Sequence, residues 1–266
     1  MAEVPGSNPG APTLAREIYD SSIGRGYGAA RGTDPRIAAA IGAALDDAGN
    51  VLNVGAGTGS YEPAGRTVAV DPSEVMIAQR PAGSAPAFLA SAEDLPFFDD
   101  SFDAVMAVFT DHHWSDRAAG MREMLRVARK RVVLVNMDPA WAERYWLVRD
   151  YLRCFMDLVP EPYRESGYWA GELAELLGEV ALTPVPVPHD CRDGFFQAYW
   201  RRPEAYLEAP VREGISVFHT LPAKEIDTAI ERLRRDLGEG TWEARNAELL
   251  GLAELDVGLR IVVRSL

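Results

Sequence analysis

Two short apolar runs end in residues whose types and spacing can do chemistry. VLNVGAGTGSY, residues 51–61, closes on Gly55, Gly57 and Gly59, and VAVDPS, residues 68–73, closes on Asp71. In an α/β sheet this is how a nucleoside pocket is built. The glycines let a ligand approach backbone that a Cβ would shield, and a carboxylate at the carboxyl end of the next strand accepts hydrogen bonds from ribose hydroxyls.

The spacing narrows the ligand. A dinucleotide fingerprint, G-x-G-x-x-G, would need its third glycine at position 60, which is Ser60, so the run reads G-x-G-x-G instead. The connection 55–67 is barely above the roughly 10–12 residues that a crossover needs. Pro63 and Gly65 limit any helix within it to about one turn. A pyrophosphate that rests on a helix N-terminus is poorly supplied by such a loop. A ligand that ends in an amino acid suits it better, which favours S-adenosyl-L-methionine (SAM) over NAD. Asp71 suits either ribose, so an NAD-dependent oxidoreductase stays open as an alternative.

Three histidines are candidates for proton transfer. His112 and His113 follow an apolar run, SFDAVMAVFTDHHW at 101–114, where a parallel sheet opens its crevice. Either can serve as a general base, and because neighbours on an extended segment point opposite ways, one of them faces the pocket. His189 stands beside Asp190 and Cys191. Adjacent residues do not converge on one ion without a sharp bend, so the cluster is read as substrate-orienting or capping, with no metal expected.

The chain resembles class I SAM-dependent methyltransferases, the branch of ubiquinone/menaquinone-type and bacterial small-molecule enzymes. The resemblance rests on VLNVGAGTGSY, VAVDPS, ASAEDLPF at 90–97, SFDAVMAVFTDHHW and EMLRVARKRVVLVNM at 123–137, in that order, and covers roughly residues 16–137. It implies SAM as cofactor. Gly55, Ala56 and Gly57 would face its methionyl part, Asp71 would hold the ribose, and Pro72 and Met76 would pack on adenine. Ala92 and Phe109 would line the same cofactor. The family often has an acidic residue where this chain has Asn53 and again where it has Ser91. Glu93 is the expected substitute for the second. The segment YDSSIGRGYGAARGTDP at 19–35 would close over the cofactor, with Tyr27 and Arg31 near its carboxylate. A protein that keeps the cofactor without turning over an acceptor is the competing reading.

Alternating elements must position these residues. Helical character is expected over Thr13–Tyr19 and Asp34–Asp46, the second capped by Thr33 or Asp34 with Pro35 in its first turn. Strands are expected at 51–54, 67–70, 87–89, 103–109 and 131–136, and helices near 73–80 and 115–129. This predicts an α/β, Rossmann-like, mostly parallel sheet covered on both faces. The resemblance implies two further strands, TPVPVPHD at 183–190 and GLRIVVRSL at 258–266, the last antiparallel. The resulting organisation is a disordered segment 1–13, a SAM-binding core 14–138, completion of the core 139–192, a helical lid 193–254 and a final strand 255–266. Phe195, Phe196, Tyr199 and Trp200 lie at helical spacing and would pack the lid or wall the acceptor.

Composition agrees with a compact enzyme. The 266 residues are 47% hydrophobic, enough for a full core, and the net charge of −13 disfavours nucleic acid as a partner. No stretch of about 18 apolar residues suggests a membrane span. Two distant cysteines, Cys154 and Cys191, read as a reducing, cytoplasmic setting. The expected acceptor is a small, apolar or aromatic metabolite.

Overall fold

The computed structural model describes residues 32–266. The expectations placed on residues 1–13, on Thr13–Tyr19 and on Tyr27 and Arg31 lie outside them. Asp34 opens the first helix as expected: its carboxylate accepts from the Arg36 amide at 2.9 Å and Pro35 occupies the first turn. Helix α1 then runs Pro35–Leu45 with Ile37, Ile41 and Leu45 buried in one stripe.

The elements that follow are β1 Val51–Val54, β2 Thr67–Asp71, α2 Glu74–Ala78, β3 Ala87–Leu89, β4 Phe102–Val108, α3 Arg117–Val127 and β5 Ala128–Met137. Next come α4 Trp146–Asp150, α5 Tyr168–Leu177, β6 Ala181–Pro184, β7 Val187–Pro188 and α6 Ala209–Glu213. The chain closes with α7 Ala223–Gly238, α8 Thr241–Arg245, α9 Ala247–Leu250, β8 Glu254–Leu255 and β9 Leu259–Ser265.

Among the described residues, seven strands form one sheet in the order β3-β2-β1-β4-β5-β9-β6. Strands β1 to β5 pair in parallel, with Val51 opposite both Thr67 and Ala104. β9 is antiparallel to its neighbours β5 and β6. The strand order reverses at β1: β2 and β3 lie to one side, β4 and β5 to the other. In an open α/β sheet a ligand crevice forms at such a switch, outside the carboxyl ends of the strands.

Side chains alternate between two cores. Val51, Ala104, Met106, Val133 and Val135 pack with α1 on one face, and Leu52, Val54, Val105, Val132 and Leu134 pack with α3 and α5 on the other. The first core continues without a break into Trp146, Trp200, Tyr206, Phe218, Leu233 and Trp242. Residues after β7 are therefore packed into the sheet's own hydrophobic core.

Two local expectations need correction. The proline-rich run 183–190 is not one strand: β6 ends at Pro184 on the sheet edge, and Val187–Pro188 pairs instead with Glu254–Leu255 in a separate two-stranded ribbon. Pro184, Pro186 and Pro188 lack the amide that a continuous ladder would use. The aromatic stretch 195–200 is a series of turns rather than a helix. Phe195, Phe196 and Trp200 are buried there all the same. No helix among the described residues is long and apolar enough to cross a membrane.

Candidate active site

Gly55 and Gly57 follow β1 with φ of +66° and +52°, values a side chain rarely adopts. A Cβ on Gly55 would stand 2.1 Å from Thr110 Oγ1, so this glycine lets the β1 turn press against the end of β4. Asp71 ties the turn to β2. Its Oδ2 accepts from the Gly57 amide at 2.7 Å and its Oδ1 from the Ser73 amide at 2.9 Å. Buried Met76 lies against the same turn, its Cε 3.2 Å from where a Cβ of Gly57 would be. Ala56 is buried, with its amide donating to Val70 O at 3.0 Å, and Pro72 is exposed beside Asp71.

The connection from Val54 to Thr67 contains no helical residue. The pyrophosphate seat that NAD would need is thus missing. A group that sequence reasoning did not find holds the connection together. Asn53 Nδ2 donates to Glu62 Oε1 at 3.0 Å, and Arg80 pairs with Glu62 Oε2 at 2.5 Å, the two charged side chains being 6% and 7% exposed.

Ser91, Ala92 and Glu93 lie in the loop after β3, with Ala92 buried and the other two partly so. Glu93 Oε1 accepts from the Ser115 amide and hydroxyl, both at 2.7 Å, and from the Asp116 amide at 3.1 Å. Burial works against its charge, but the Ser115 and Asp116 hydrogen bonds outweigh it and hold the carboxyl below its ordinary range. That oxygen therefore secures the entry to α3.

After β4, Phe109 takes φ +53° and stacks on Phe195 at 5.3 Å. A one-turn 3-10 helix, Asp111–His113, follows. Its anchor is Asp111, 3% exposed, which accepts from Asn136 Nδ2 on β5 and, at 2.9 Å, from Arg117 Nε on α3. Arg117 continues to Glu172 on α5, which also accepts from the Tyr163 hydroxyl. Trp114 lies over Gly120 of α3, where a Cβ would stand 2.3 Å from its ring.

The two histidines lie on this 3-10 turn and not on the extended segment expected from the sequence, so their rings are neighbours, 3.9 Å between centroids and tilted by 48°. His112 keeps accessible surface yet is deep among protein atoms, as a side chain lining a cleft does. This enclosure, with the positive charge of Arg117, pushes its pKa down to about 4. Burial and the adjacent His112 lower His113 well below 6.5. Both rings are neutral at pH 7. His112 Nδ1 lies 3.5 Å from Asn136 Nδ2, which favours a proton on Nε2. That tautomer leaves His112 a donor at Nε2.

Residues after β7 reach back over the strand ends. Asp193, 1% exposed, accepts from the Tyr61 hydroxyl at 2.8 Å, and Tyr61 itself follows the glycine turn at φ +65°. Phe195 covers Phe109. The aromatic pair and the histidine turn thus share the mouth of β1 and β4 with the glycine turn. His189 stands apart from the other two histidines, in the turn after β7, with its amide donating to Ala253 O at 2.9 Å.

Residues 52–136 match a family model described as a methyltransferase domain. Among curated proteins the chain is 41% identical over 136 residues to a demethylmenaquinone methyltransferase of Roseiflexus castenholzii, covering 47% of this chain and 57% of that one. It is 35% identical over 108 residues to a ubiquinone/menaquinone biosynthesis C-methyltransferase of Geotalea daltonii, covering 34% and 46%. The chain spans about half the length of the curated relatives it matches. A crystal structure from Anabaena variabilis, described as a methyltransferase from an antibiotic biosynthesis pathway, superposes with TM-score 0.80 at 34% identity, over 89% of this chain and 99% of the other. Strand order, glycine turn and these matches agree, and the chain belongs to the class I SAM-dependent methyltransferases.

Proposed function

We propose that the protein transfers the methyl group of SAM to a small, apolar or aromatic acceptor. The observation that carries this reading is the meeting, at the mouth of β1 and β4, of the Asp71-braced glycine turn, the Phe109–Phe195 pair and two neutral histidines. The residues present fit the cofactor. A carboxylate accepts up to about four hydrogen bonds, so Asp71 can hold both the turn and a ribose. Asn53 Oδ1 is buried and has no partner among the described residues, an acceptor suited to an ammonium donor. Its orientation is set by the Nδ2 contact to Glu62.

SAM, when bound, supplies an activated methyl on a sulfonium sulfur, which leaves the protein to bind and align the acceptor. Asp71 and the turn hold the nucleoside side. Phe109 and Phe195 present flat apolar surface to an aromatic ring. His113 takes the proton that an acceptor O–H, N–H or C–H gives up on methylation, while His112 donates from Nε2. The names of the curated relatives make demethylated hydroquinones, whose electron-rich ring can accept an electrophilic methyl, the first acceptors to assay, with the reaction placed in the cytoplasm.

Calorimetry with SAM followed by a methyl-transfer screen tests the reading. Tight binding without turnover on any aromatic or quinoid acceptor would instead support a cofactor-binding protein. His113→Ala is expected to lower turnover by about 10²–10⁴-fold while SAM affinity stays within about twofold. Equal loss in both would make His113 a packing residue. Turnover should also stay level as pH falls through 6.5, where a free imidazole charges, and drop only well below it, because burial and the neighbouring His112 hold His113 neutral there. A limb near 6.5 would assign the proton transfer to another group.

A further inference from the structure

The connection between β1 and β2 lacks the helix that would normally fix a ligand-binding turn, yet the turn holds three glycines with positive φ. Something else must set its shape. Each polar group of the Gly57 backbone is held by a side chain of opposite character. Its amide donates to Asp71, and its carbonyl accepts from Arg80 Nη1 at 3.3 Å. Arg80 Nη2 pairs with Glu62 and also donates to Ala85 O at 3.2 Å, so one guanidinium joins the turn, the returning chain and the segment after α2. Glu62 in turn receives Asn53 from within β1.

Gly59 makes room for this arrangement. A Cβ there would stand 3.1 Å from Arg80 Nη1 and 3.2 Å from Glu62 Oε2. The third glycine of the run is thus explained by an ion pair, where a dinucleotide fold would use it for helix packing. The network is also expensive in stability. Two charges are buried, and among the described residues Arg80 Nε and Asn53 Oδ1 have no partner. Apolar residues of similar volume would serve stability as well or better, so the pair's value lies in the shape it imposes.

We propose that the Glu62–Arg80 pair is the brace that holds the glycine turn in its ligand-receiving conformation, with Arg80 a positioning residue for SAM. The SAM part rests on the function proposed above. Arg80 acts through Gly57 and reaches the cofactor only by way of that peptide.

The test compares wild type, Arg80→Met, Arg80→Lys and the double variant Glu62→Met with Arg80→Met. SAM affinity is read by calorimetry, and amide hydrogen exchange is read over 55–61 in protein without added SAM. Arg80→Met and the double variant are expected to bind SAM about 10- to 100-fold more weakly. Exchange over 55–61 should be faster in both, with β1 and β4 still protected. The double variant removes both buried charges, though it also leaves Asn53 Nδ2 without its acceptor, and should melt closer to wild type than Arg80→Met does, so that a loss of SAM affinity shared by both separates the brace from general stability. Lysine keeps the charge but not the fork, so Arg80→Lys should recover only part of the affinity. SAM affinity within about twofold of wild type in the double variant, or unchanged exchange over 55–61, overturns the brace. If wild type itself fails to bind SAM, the function proposed above falls, and the exchange result alone decides for or against the brace.

Discussion

Asp71→Ala is expected to weaken SAM binding by about 100-fold or more and to lower stability as well. Two effects combine. In the proposed function the ribose would lose its acceptor, and the amides of Gly57 and Ser73 lose theirs in a site where Asp71 is 7% exposed. An unmet buried amide costs about 1–3 kcal/mol. Asp71→Asn should not rescue: an amide offers one oxygen, so its NH2 must face either the Gly57 or the Ser73 N–H, donor against donor. Calorimetry with SAM, alongside thermal unfolding, separates the effects. An Asp71→Ala variant that melts lower but keeps its SAM affinity would reduce Asp71 to a turn brace.

Much of this frame was legible because its signals are local. The apolar run 51–54 is buried at every position and begins and ends where the sequence reading puts it. The pair Asp34 and Pro35 announces α1, since a capping carboxylate and a residue without a needed amide both belong in a first turn. Pro63 and Gly65, in so short a connection, leave room for about one helical turn at most, and the structure forms none there.

What escaped depends on partners far apart in the chain. Glu62 and Arg80 have no periodic relation, Arg117 and Glu172 are 55 residues apart, and Tyr61 and Asp193 are 132 apart. No spacing rule pairs such residues. Glu93 shows the same limit in its structural role: no spacing announces that a segment 22 residues later supplies the donors of its Oε1. The aromatic stretch 195–200 misled differently. Its i, i+3, i+4 pattern satisfies a helix, but Phe195 and Phe196 are drawn to separate partners, Phe109 and Phe155, which turns accommodate.

Asp111 carries the other large expected effect. Asp111→Ala leaves Asn136 Nδ2 and Arg117 Nε without their acceptor beneath the histidine turn. Removing one partner of a buried pair costs about 3–5 kcal/mol in general. Arg117 is 21% exposed and keeps Glu172, so about 2–4 kcal/mol is expected here. At about 2–4 °C per kcal/mol for a chain of this size, the melting temperature should fall by about 4–16 °C, with turnover falling alongside. Asp111→Asn alone should fail too, because Asn136 and Arg117 donate to different carboxylate oxygens, and an amide would turn its NH2 toward one of them. Adding Asn136→Asp restores every direction. The amide introduced by Asp111→Asn would accept from Arg117 and donate to the carboxylate introduced by Asn136→Asp, which still accepts from the Met137 amide. This double variant should recover most of the stability. It also moves a carboxylate to the position 3.5 Å from His112 Nδ1, and a negative charge there favours the imidazolium. The His112 titration, followed by NMR, should therefore rise from about 4 toward 6.5. A double variant that stays as unstable as Asp111→Asn, or an unmoved His112 titration, would mean that Asn136 does not link Asp111 to the histidines.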